Sequence, residues 1–404
     1  MDAPKFVDHY RSLLRGLRRV GLATPWIEKP TLLSRVPFLL YDGLLVAIVV
    51  YMLCCYGYSI TTITIPFQEL CGLGVSTSNF ICALLVTFYQ AHYSQDLKRI
   101  TDNMDRIAER ILASDLRGAD HFLQLYKRTS KLMAILTDYS IFFSFTLPIV
   151  YCFPVPVMDW MEGHYRSRHP VRIANPFNDK IPGVYELIAI VVACSIAFST
   201  SKKAAMDCLF VTFFSIQSDF LKYLSVAMSE LQKELRDEDS PLTRNKLITW
   251  FRLHQDIIRN TNDLIETISP VIITYYMTTI GIVVCGAFVQ SMKENELFIQ
   301  SISIGGYIMI TLIYYFLLSN TADELTTEAQ KLAFVVYSTP WYDMKKRNAD
   351  MVQLVVTIST RPIEVTAYMA PTFLLNRETY AKFLVGAISA FITLCQMKFL
   401  YDDS

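Results

Sequence analysis

The 404-residue sequence has little charge, because Asp, Glu, Lys and Arg together make up only 18% of it. A typical soluble protein carries about 25%. Hydrophobic residues reach 52%, which leaves too little polar surface to cover the core of a soluble chain this long. Neither sign of charge is in excess, with 37 basic and 37 acidic residues, so no attraction to nucleic acid is expected. These shortages favour an integral membrane protein.

Motifs that carry chemistry are also missing. The sequence contains no nucleophile elbow, phosphate-binding loop or recognisable pair of catalytic carboxylates. Its six histidines show no metal-ligand spacing, and His164 with His169 is predicted to be solvated in a loop. The nine cysteines lie in or beside apolar segments and are expected to be free thiols. We therefore predict that the protein is not an enzyme and has no cofactor and no metal site.

Seven apolar segments approach the ~20 residues that a helix needs to cross ~30 Å of hydrocarbon. They cover residues 36–65, 70–93, 131–154, 184–201, 268–290, 298–319 and 379–399. The second carries Ser76 to Asn79, and such polar residues in a span favour a helix that faces protein or water. The predicted fold class is an all-α, polytopic membrane protein with seven transmembrane helices.

Basic residues set the predicted orientation. Lys and Arg number 29 in the alternate segments 1–35, 94–130, 202–267 and 320–378, and only 5 in the segments between the spans on the other side. Basic loops stay in the cytoplasm, so the N-terminus is predicted inside and the C-terminus outside. Residues 1–35 lack the apolar core of a signal peptide, so the first span is expected to remain. This topology is opposite to that of a G-protein-coupled receptor.

The longer cytoplasmic segments have the periodicity of amphipathic helices, with one apolar stripe each. The stripes are Ile100, Met104, Ile107, Ile111; Leu224, Met228, Leu231, Leu235; and Leu247, Phe251, His254, Ile258. We predict that these helices extend the spans and pack together in a cytoplasmic anchor bundle. The alternative is that they lie on the lipid surface as interfacial helices.

The last eighty residues carry a recognisable order of features: a Tyr and Trp pair, a helix that ends before a proline, a Thr-Ala segment and a Thr-Tyr start to the last span. These are Tyr337, Trp341, Pro362, Thr366, Ala367, Thr379 and Tyr380. This order, together with seven spans and the inverted topology, resembles the insect odorant receptor family. The sibling gustatory receptor family is the nearest competitor.

The resemblance implies a division of the chain into four regions. Residues 1–35 form a cytoplasmic segment, and residues 36–319 form six transmembrane helices with cytoplasmic extensions that bind the ligand. Residues 320–378 form the cytoplasmic anchor region, and residues 379–404 form the pore-lining last helix and the extracellular C-terminus.

The last span carries small or polar residues along one side. Gly386, Ser389, Thr393 and Gln396 recur at i, i+3, i+7 and i+10. A polar stripe in a membrane helix faces protein or water, and close helix packing through small residues is the alternative to a pore. The resemblance implies a cation pathway lined by the last helices of four subunits. Alignment with the last helix of the olfactory co-receptor places Gln396 on that helix's Gln and Met397 on one apolar gate position, whereas the other gate position falls on polar Thr393.

The resemblance also implies a pocket for a small neutral volatile organic compound in the outer half of the bundle. Charged residues are scarce there, which agrees with a neutral ligand. The candidate ligand-binding residues are Ser76, Phe80, Phe142, Phe145, Thr146, Tyr185, Tyr276 and Thr279.

The expected function is that of an odorant-binding subunit in a ligand-gated, nonselective cation channel of the plasma membrane in olfactory neurons. Its partners would be olfactory co-receptor subunits in a heterotetramer, membrane lipid and permeant cations. A gustatory-type homotetrameric channel is the first alternative. A secondary transporter is the second, and it would be expected to show internal repeats, of which none is evident.

Overall fold

The computed structural model describes residues 32–62, 67–153, 161, 183–237, 241–291, 298–359, 361–368 and 370–402. The predicted N-terminal segment and the outer loop 155–183 therefore lie almost entirely outside the described residues. Within the described part the helices are α1 Leu32–Thr62, α2 Phe67–Ala113, α3 Ala119–Cys152, α4 Val184–Asp237, α5 Pro241–Ser291, α6 Phe298–Tyr337, α7 Lys346–Ser359 and α8 Arg377–Asp402, with a 3-10 turn at Trp341–Asp343.

Six of the described helices contain an apolar stretch long enough to cross a membrane. They are α2, α3, α4, α5, α6 and α8, and α1 contributes a shorter apolar stretch at Val46–Thr61. With 31 residues, α1 is ~46 Å long at ~1.5 Å per residue. All nine cysteines are free thiols. The predicted fold class, an all-helical polytopic membrane protein, is confirmed.

Four helices are much longer than a membrane span. They are α2, α4, α5 and α6, with 47, 54, 51 and 40 residues. Their extensions pack with the start of α3 and with α7 into an inner bundle (residues 94–130, 202–237, 241–267 and 320–359). The predicted stripe of α2 is buried there, since Ile100, Met104, Ile107 and Ile111 are each 2% exposed or less. The helices thus bury their apolar faces against one another and not against a lipid surface.

A tight turn between α2 and α3 depends on a glycine. Gly118 has φ 101°, a left-handed conformation that side chains other than glycine rarely adopt. Its carbonyl accepts the first helical hydrogen bond of α3, from Phe122 N at 2.9 Å. A Cβ at this position would also lie 3.4 Å from Val226 Cγ1 on α4. The glycine therefore lets the chain reverse close against α4.

A two-stranded antiparallel ladder that the sequence analysis did not predict precedes α8. Strand β1 is Thr366–Ala367 and strand β2 is Ala370–Leu374. The ladder is tied to α5, because Ser269 Oγ donates to the Thr366 carbonyl at 2.7 Å and Tyr368 N donates to the Ser269 carbonyl at 3.2 Å. This contact holds the start of α8 against the middle of α5.

Candidate ligand cavity and pore helix

A cavity opens near the end of the bundle where α2 and α6 begin and α3 and α5 end. Its empty space, including the part at the mouth, is about 700 Å³. It lies in the half of the bundle that the charge distribution predicts to be outside. The lining residues are Gly72, Val75, Ser76, Asn79, Leu147, Pro148, Tyr151, Ile196, Thr200, Gly286, Val289, Ser303, Ile304, Tyr307 and Ile308.

The lining is mainly apolar and contains no charged side chain among the residues that the structure describes there. Ligand pockets of this kind bind by shape and apolar contact, with a few polar groups that fix orientation. The polar groups come from Ser76 and Asn79 on α2, Thr200 on α4, and Ser303 and Tyr307 on α6. This chemistry suits an uncharged organic molecule.

One wall of the cavity is shaped by a proline within α3. Pro148 has no backbone N–H, so the carbonyl four residues earlier, on Ser144, loses its helical hydrogen bond. Thr200 Oγ1 on α4 donates to that carbonyl at 2.8 Å. The bond satisfies a backbone group that would otherwise be unpaired in an apolar setting, and it joins α3 to α4 at the cavity wall.

A glycine allows α5 and α6 to pack closely at the opposite wall of the cavity. A Cβ at Gly286 would lie 3.0 Å from Ile308 Cδ1, closer than van der Waals contact allows. Gly286 therefore lets α5 approach α6, and it leaves room in the cavity that any larger residue would occupy.

The structure places one of the eight sequence-predicted ligand residues, Ser76, on the cavity wall. Three others are buried in packing contacts elsewhere. Phe80 is 0% exposed, and its ring stacks on that of Tyr56 of α1 with centroids 5.9 Å apart. Tyr185 and Thr279 are 2% and 0% exposed.

The other four also lie away from the cavity lining. Phe142 is 61% exposed on the outer surface of α3. Thr146 Oγ1 donates to the Phe142 carbonyl at 2.7 Å, and the Phe145 ring meets Phe198 edge-on at 5.7 Å. Tyr276 packs near the base of α8. Sequence reasoning did not nominate Asn79 or Tyr307, although the polar run Ser76 to Asn79 gave a signal for the first of them.

A buried ionic cluster lies one helical turn beyond Thr200 on α4. Lys203 Nζ is 3.2 Å from Asp207 Oδ2, and their side chains are 4% and 1% exposed. Tyr275 of α5 donates its hydroxyl hydrogen bond to Asp207 Oδ1, and Lys203 Nζ lies 4.6 Å from the centre of the Tyr275 ring. The two opposite charges of α4 are therefore paired with each other, as buried charges require, and Tyr275 adds a neutral hydrogen bond from α5.

The next residue, Tyr276, belongs to an aromatic joint between α5 and α8. Its ring centroid lies 5.7 Å from that of Phe383 and 5.0 Å from that of Phe373. Tyr315 of α6 packs on Phe383 at 4.7 Å. Phe383 and Ala387 are 0% and 5% exposed. These aromatic contacts determine which face of α8 packs against the other helices.

Much of the surface of α8 is left uncovered by the residues that the structure describes. Only 11% of the most apolar stretch of α8 is buried, against 28% to 50% of the corresponding stretches in the other five candidate spans. Val385, Ile388 and Ile392 expose an apolar face, at 65%, 59% and 49%.

The five predicted pore residues lie beside this apolar face and away from the aromatic joint. Ser389, Thr393, Gln396 and Met397 are exposed, and no atom lies within 4 Å of a Cβ added to Gly386. The structure thus keeps these five side by side on a surface of α8 that this chain does not cover.

Comparisons with known proteins cover most of the chain. Residues 66–387 match the family model described as 7tm Odorant receptor. The odorant receptor coreceptors of Aedes aegypti and Aedes albopictus are 22% identical to the chain over 157 residues. That match covers 39% of this chain and 32% of each relative, so the chain spans about a third of the length of these curated relatives.

The fold also matches solved structures over nearly its whole length. The insect olfactory receptor OR5 from Machilis hrabei, solved alone and in complex with eugenol, superposes with a TM-score of 0.78 in both cases. The identity is 17% and 18%, and the match covers 96% of this chain and 100% of that chain. At such identity the likeness establishes the fold.

Proposed function

The chain belongs to the insect odorant receptor family, whose members are multi-pass membrane receptor channels and not enzymes, and we propose that it is an odorant-binding subunit of a heteromeric, ligand-gated, nonselective cation channel. Its partners in the plasma membrane would be olfactory co-receptor subunits in a heterotetramer. Its ligand would be a small neutral volatile compound.

The observation that carries this proposal is the cavity of about 700 Å³ in the outer half of the bundle. Its mainly apolar, uncharged lining matches what a small apolar ligand needs. Of the sequence-predicted ligand residues, Ser76 lies on its wall. In the eugenol complex, the related Machilis hrabei receptor binds a small organic molecule of the same class.

Helix α5 provides a direct route from this cavity to α8. Gly286 and Val289 line the cavity, and Tyr276 of the same helix packs on Phe383 of α8. Ten residues of helix separate Gly286 from Tyr276, which is ~15 Å. A ligand that binds more tightly to one position of α5 would shift the population of α8 positions, because only differential affinity can drive such a change.

The exposed side of α8 supports a pore formed together with other subunits. Within the described part of the chain, no helix covers Ser389, Thr393, Gln396 or Met397, and Gly386 beside them is half-exposed. A polar stripe in a membrane requires protein or water. Thr393, where the family pattern has an apolar gate residue, supports assembly with a co-receptor whose own last helix supplies the apolar constriction.

A matched pair of substitutions on one helix tests the ligand site. Ile196 of α4 lines the cavity, whereas Ile190 of the same helix is 60% exposed on the outer surface. Ile196→Phe fills part of the cavity, so we expect the potency of neutral volatiles to fall by about tenfold, which corresponds to ~1.4 kcal/mol. Ile190→Phe should leave potency unchanged. The measurement is volatile-evoked current in cells that also express the co-receptor, and equal effects of the two variants would contradict the proposal.

Expression without the co-receptor tests the heteromeric assembly. The proposal predicts volatile-evoked current only when both chains are present. A robust current from this chain alone would instead establish a homomeric channel. Saturable uptake of a volatile without channel current would establish a transporter.

A further inference from the structure

One residue that lines the cavity, Asn79, has a buried hydrogen-bond donor without an acceptor among the described residues. Asn79 of α2 is 2% exposed, and its Oδ1 accepts a hydrogen bond from the Tyr307 hydroxyl at 3.1 Å. Its Nδ2 is buried without a partner among the residues that the structure describes. Of the residues that line the cavity, Asn79 is the one with such an atom.

An unpaired buried donor costs free energy, and most such groups in proteins have partners. The Tyr307 hydroxyl donates to Asn79 Oδ1, so Nδ2 is the amide atom that remains available to a ligand. A ligand that supplies an acceptor atom would restore the missing bond. A ligand without one would leave the donor unpaired in the complex.

Other polar groups near the cavity are already engaged. Thr200 Oγ1 donates to the Ser144 carbonyl at 2.8 Å. The nearby Lys203 Nζ is paired with Asp207 at 3.2 Å, so it offers no free cation to a carboxylate ligand. The free hydrogen-bonding capacity at Asn79 is therefore that of a neutral donor.

Resting on the proposed odorant-binding function, we propose that Asn79 makes the cavity selective for neutral volatiles that carry a hydrogen-bond acceptor, such as ketones, esters and aryl ethers. The acceptor oxygen would bind Asn79 Nδ2, and the hydrocarbon part would contact Val75, Leu147 and Ile304. Hydrocarbons of the same shape would bind more weakly.

Shape-matched ligand pairs test this selectivity. Each pair consists of a ketone and the alkene in which a CH₂ group replaces the carbonyl oxygen: acetophenone with α-methylstyrene, and 2-heptanone with 2-methylhept-1-ene. Affinity is measured by the ligand-dependent rise in melting temperature of the purified receptor complex, a readout that does not depend on channel opening. We expect the ketone of at least one pair to bind about tenfold more tightly than its alkene, the worth of one hydrogen bond.

Asn79→Leu keeps the approximate shape of the side chain and removes the donor. We expect the ketone-to-alkene ratio to fall to about one through loss of ketone affinity, with alkene affinity retained. Val75→Ala is the matched control, because it changes an apolar part of the same wall and should lower both affinities while preserving the ratio. Asn79→Ala answers the same question if the leucine variant fails to assemble.

Three results would overturn parts of this assignment in distinguishable ways. A ratio near one in the unmodified receptor, or a ratio of about ten that persists in both Asn79 variants, overturns the role of Asn79 and leaves the proposed function intact. Failure of every ketone and every alkene to raise the melting temperature overturns the odorant-binding function itself.

Discussion

The inner bundle and the outer half of the same helices differ in how they use space. In the inner bundle large aromatic side chains fill the interior, since Phe213, Phe214 and Trp250 are each 1% exposed or less. The outer half keeps a cavity with about 700 Å³ of empty space, including the space at its mouth. Dense packing stabilises a fold, whereas unfilled space leaves room for a ligand at a cost in stability.

The helices α2, α4, α5 and α6 run through both regions, so packing in the inner bundle can hold them in position around the cavity of the outer half. The comparison therefore predicts that substitutions in the inner bundle change stability, and that substitutions in the outer half and on α8 change ligand or ion selectivity.

The largest expected effect is that of Trp250→Ala. Trp250 is 1% exposed and its Nε1 donates to the Leu224 carbonyl at 3.0 Å. Removal of the indole leaves a large cavity and removes one buried hydrogen bond, so we expect a loss of about 4 to 5 kcal/mol of unfolding free energy. Thermal denaturation of the detergent-solubilised receptor is the measurement. Val75→Ala at the cavity should lose only about 1 kcal/mol, and equal losses would break the comparison.

The next effect is expected at the boundary between the two regions, where Lys203 and Asp207 form a buried ion pair. Asp207→Asn leaves the lysine charge uncompensated, which should destabilise the protein by about 3 to 4 kcal/mol and reduce its amount at the cell surface. The double variant Lys203→Met with Asp207→Leu removes both charges and should recover most of that loss. Surface labelling compares the two, and no recovery in the double variant would count against pairing as the function of these residues.

A smaller effect is expected from acid. Burial lowers the pKa of His254 from 6.5 to about 4, so the unfolded state binds the proton more readily than the folded state. The stability from neutral His254 is complete above pH 6.5 and is lost as the pH falls toward 4, by about 2 to 3 kcal/mol at pH 4.5.

His254→Phe keeps an aromatic ring where His254 stacks on Trp250 at 5.3 Å and removes the titration. Melting temperatures measured from pH 7.5 to 4.5 should then fall less steeply than those of the unmodified protein. Parallel curves for the two proteins would show that His254 is not the acid-sensitive group of the inner bundle.

The smallest effect on stability, and a large one on permeation, is expected on α8. Thr393 and Gln396 are exposed in the single chain, so Thr393→Leu and Gln396→Glu should each change the unfolding free energy by less than about 0.5 kcal/mol. Both should alter ion permeability or block in channels assembled with the co-receptor. Measurement of reversal potentials checks this, and a change in ligand potency without a change in permeation would contradict a pore role for this surface.

The inner bundle could be predicted from the sequence because the spacing of apolar residues along a helix indicates which face is buried. The spacing of Ile100, Met104, Ile107 and Ile111 placed all four in the core, and the structure buries them. An apolar stripe beside charged residues avoids water by packing on another helix or on lipid, so the pattern predicts burial, and here the other helices provide it.

The cavity lining was less predictable because membrane helices are apolar on all sides. Hydropathy gives the depth of a residue but not the direction in which its side chain points, which depends on neighbouring helices. Tyr276 and Ser76 were predicted to share a pocket, yet Tyr276 contacts Phe383 of α8 whereas Ser76 lines the cavity. Pairing of Tyr307 with Asn79, far apart in the sequence, leaves no local pattern.

The exposed surface of α8 has a consequence for the newly synthesised chain in the cell. Until other subunits arrive, the hydroxyls of Ser389 and Thr393 and the amide of Gln396 would face lipid tails, a setting that disfavours exposed polar groups. In the proposed heteromeric channel, assembly with the partner subunits would therefore be the last step of folding. Orphan copies would carry a signal by which the secretory pathway can tell them from finished receptors.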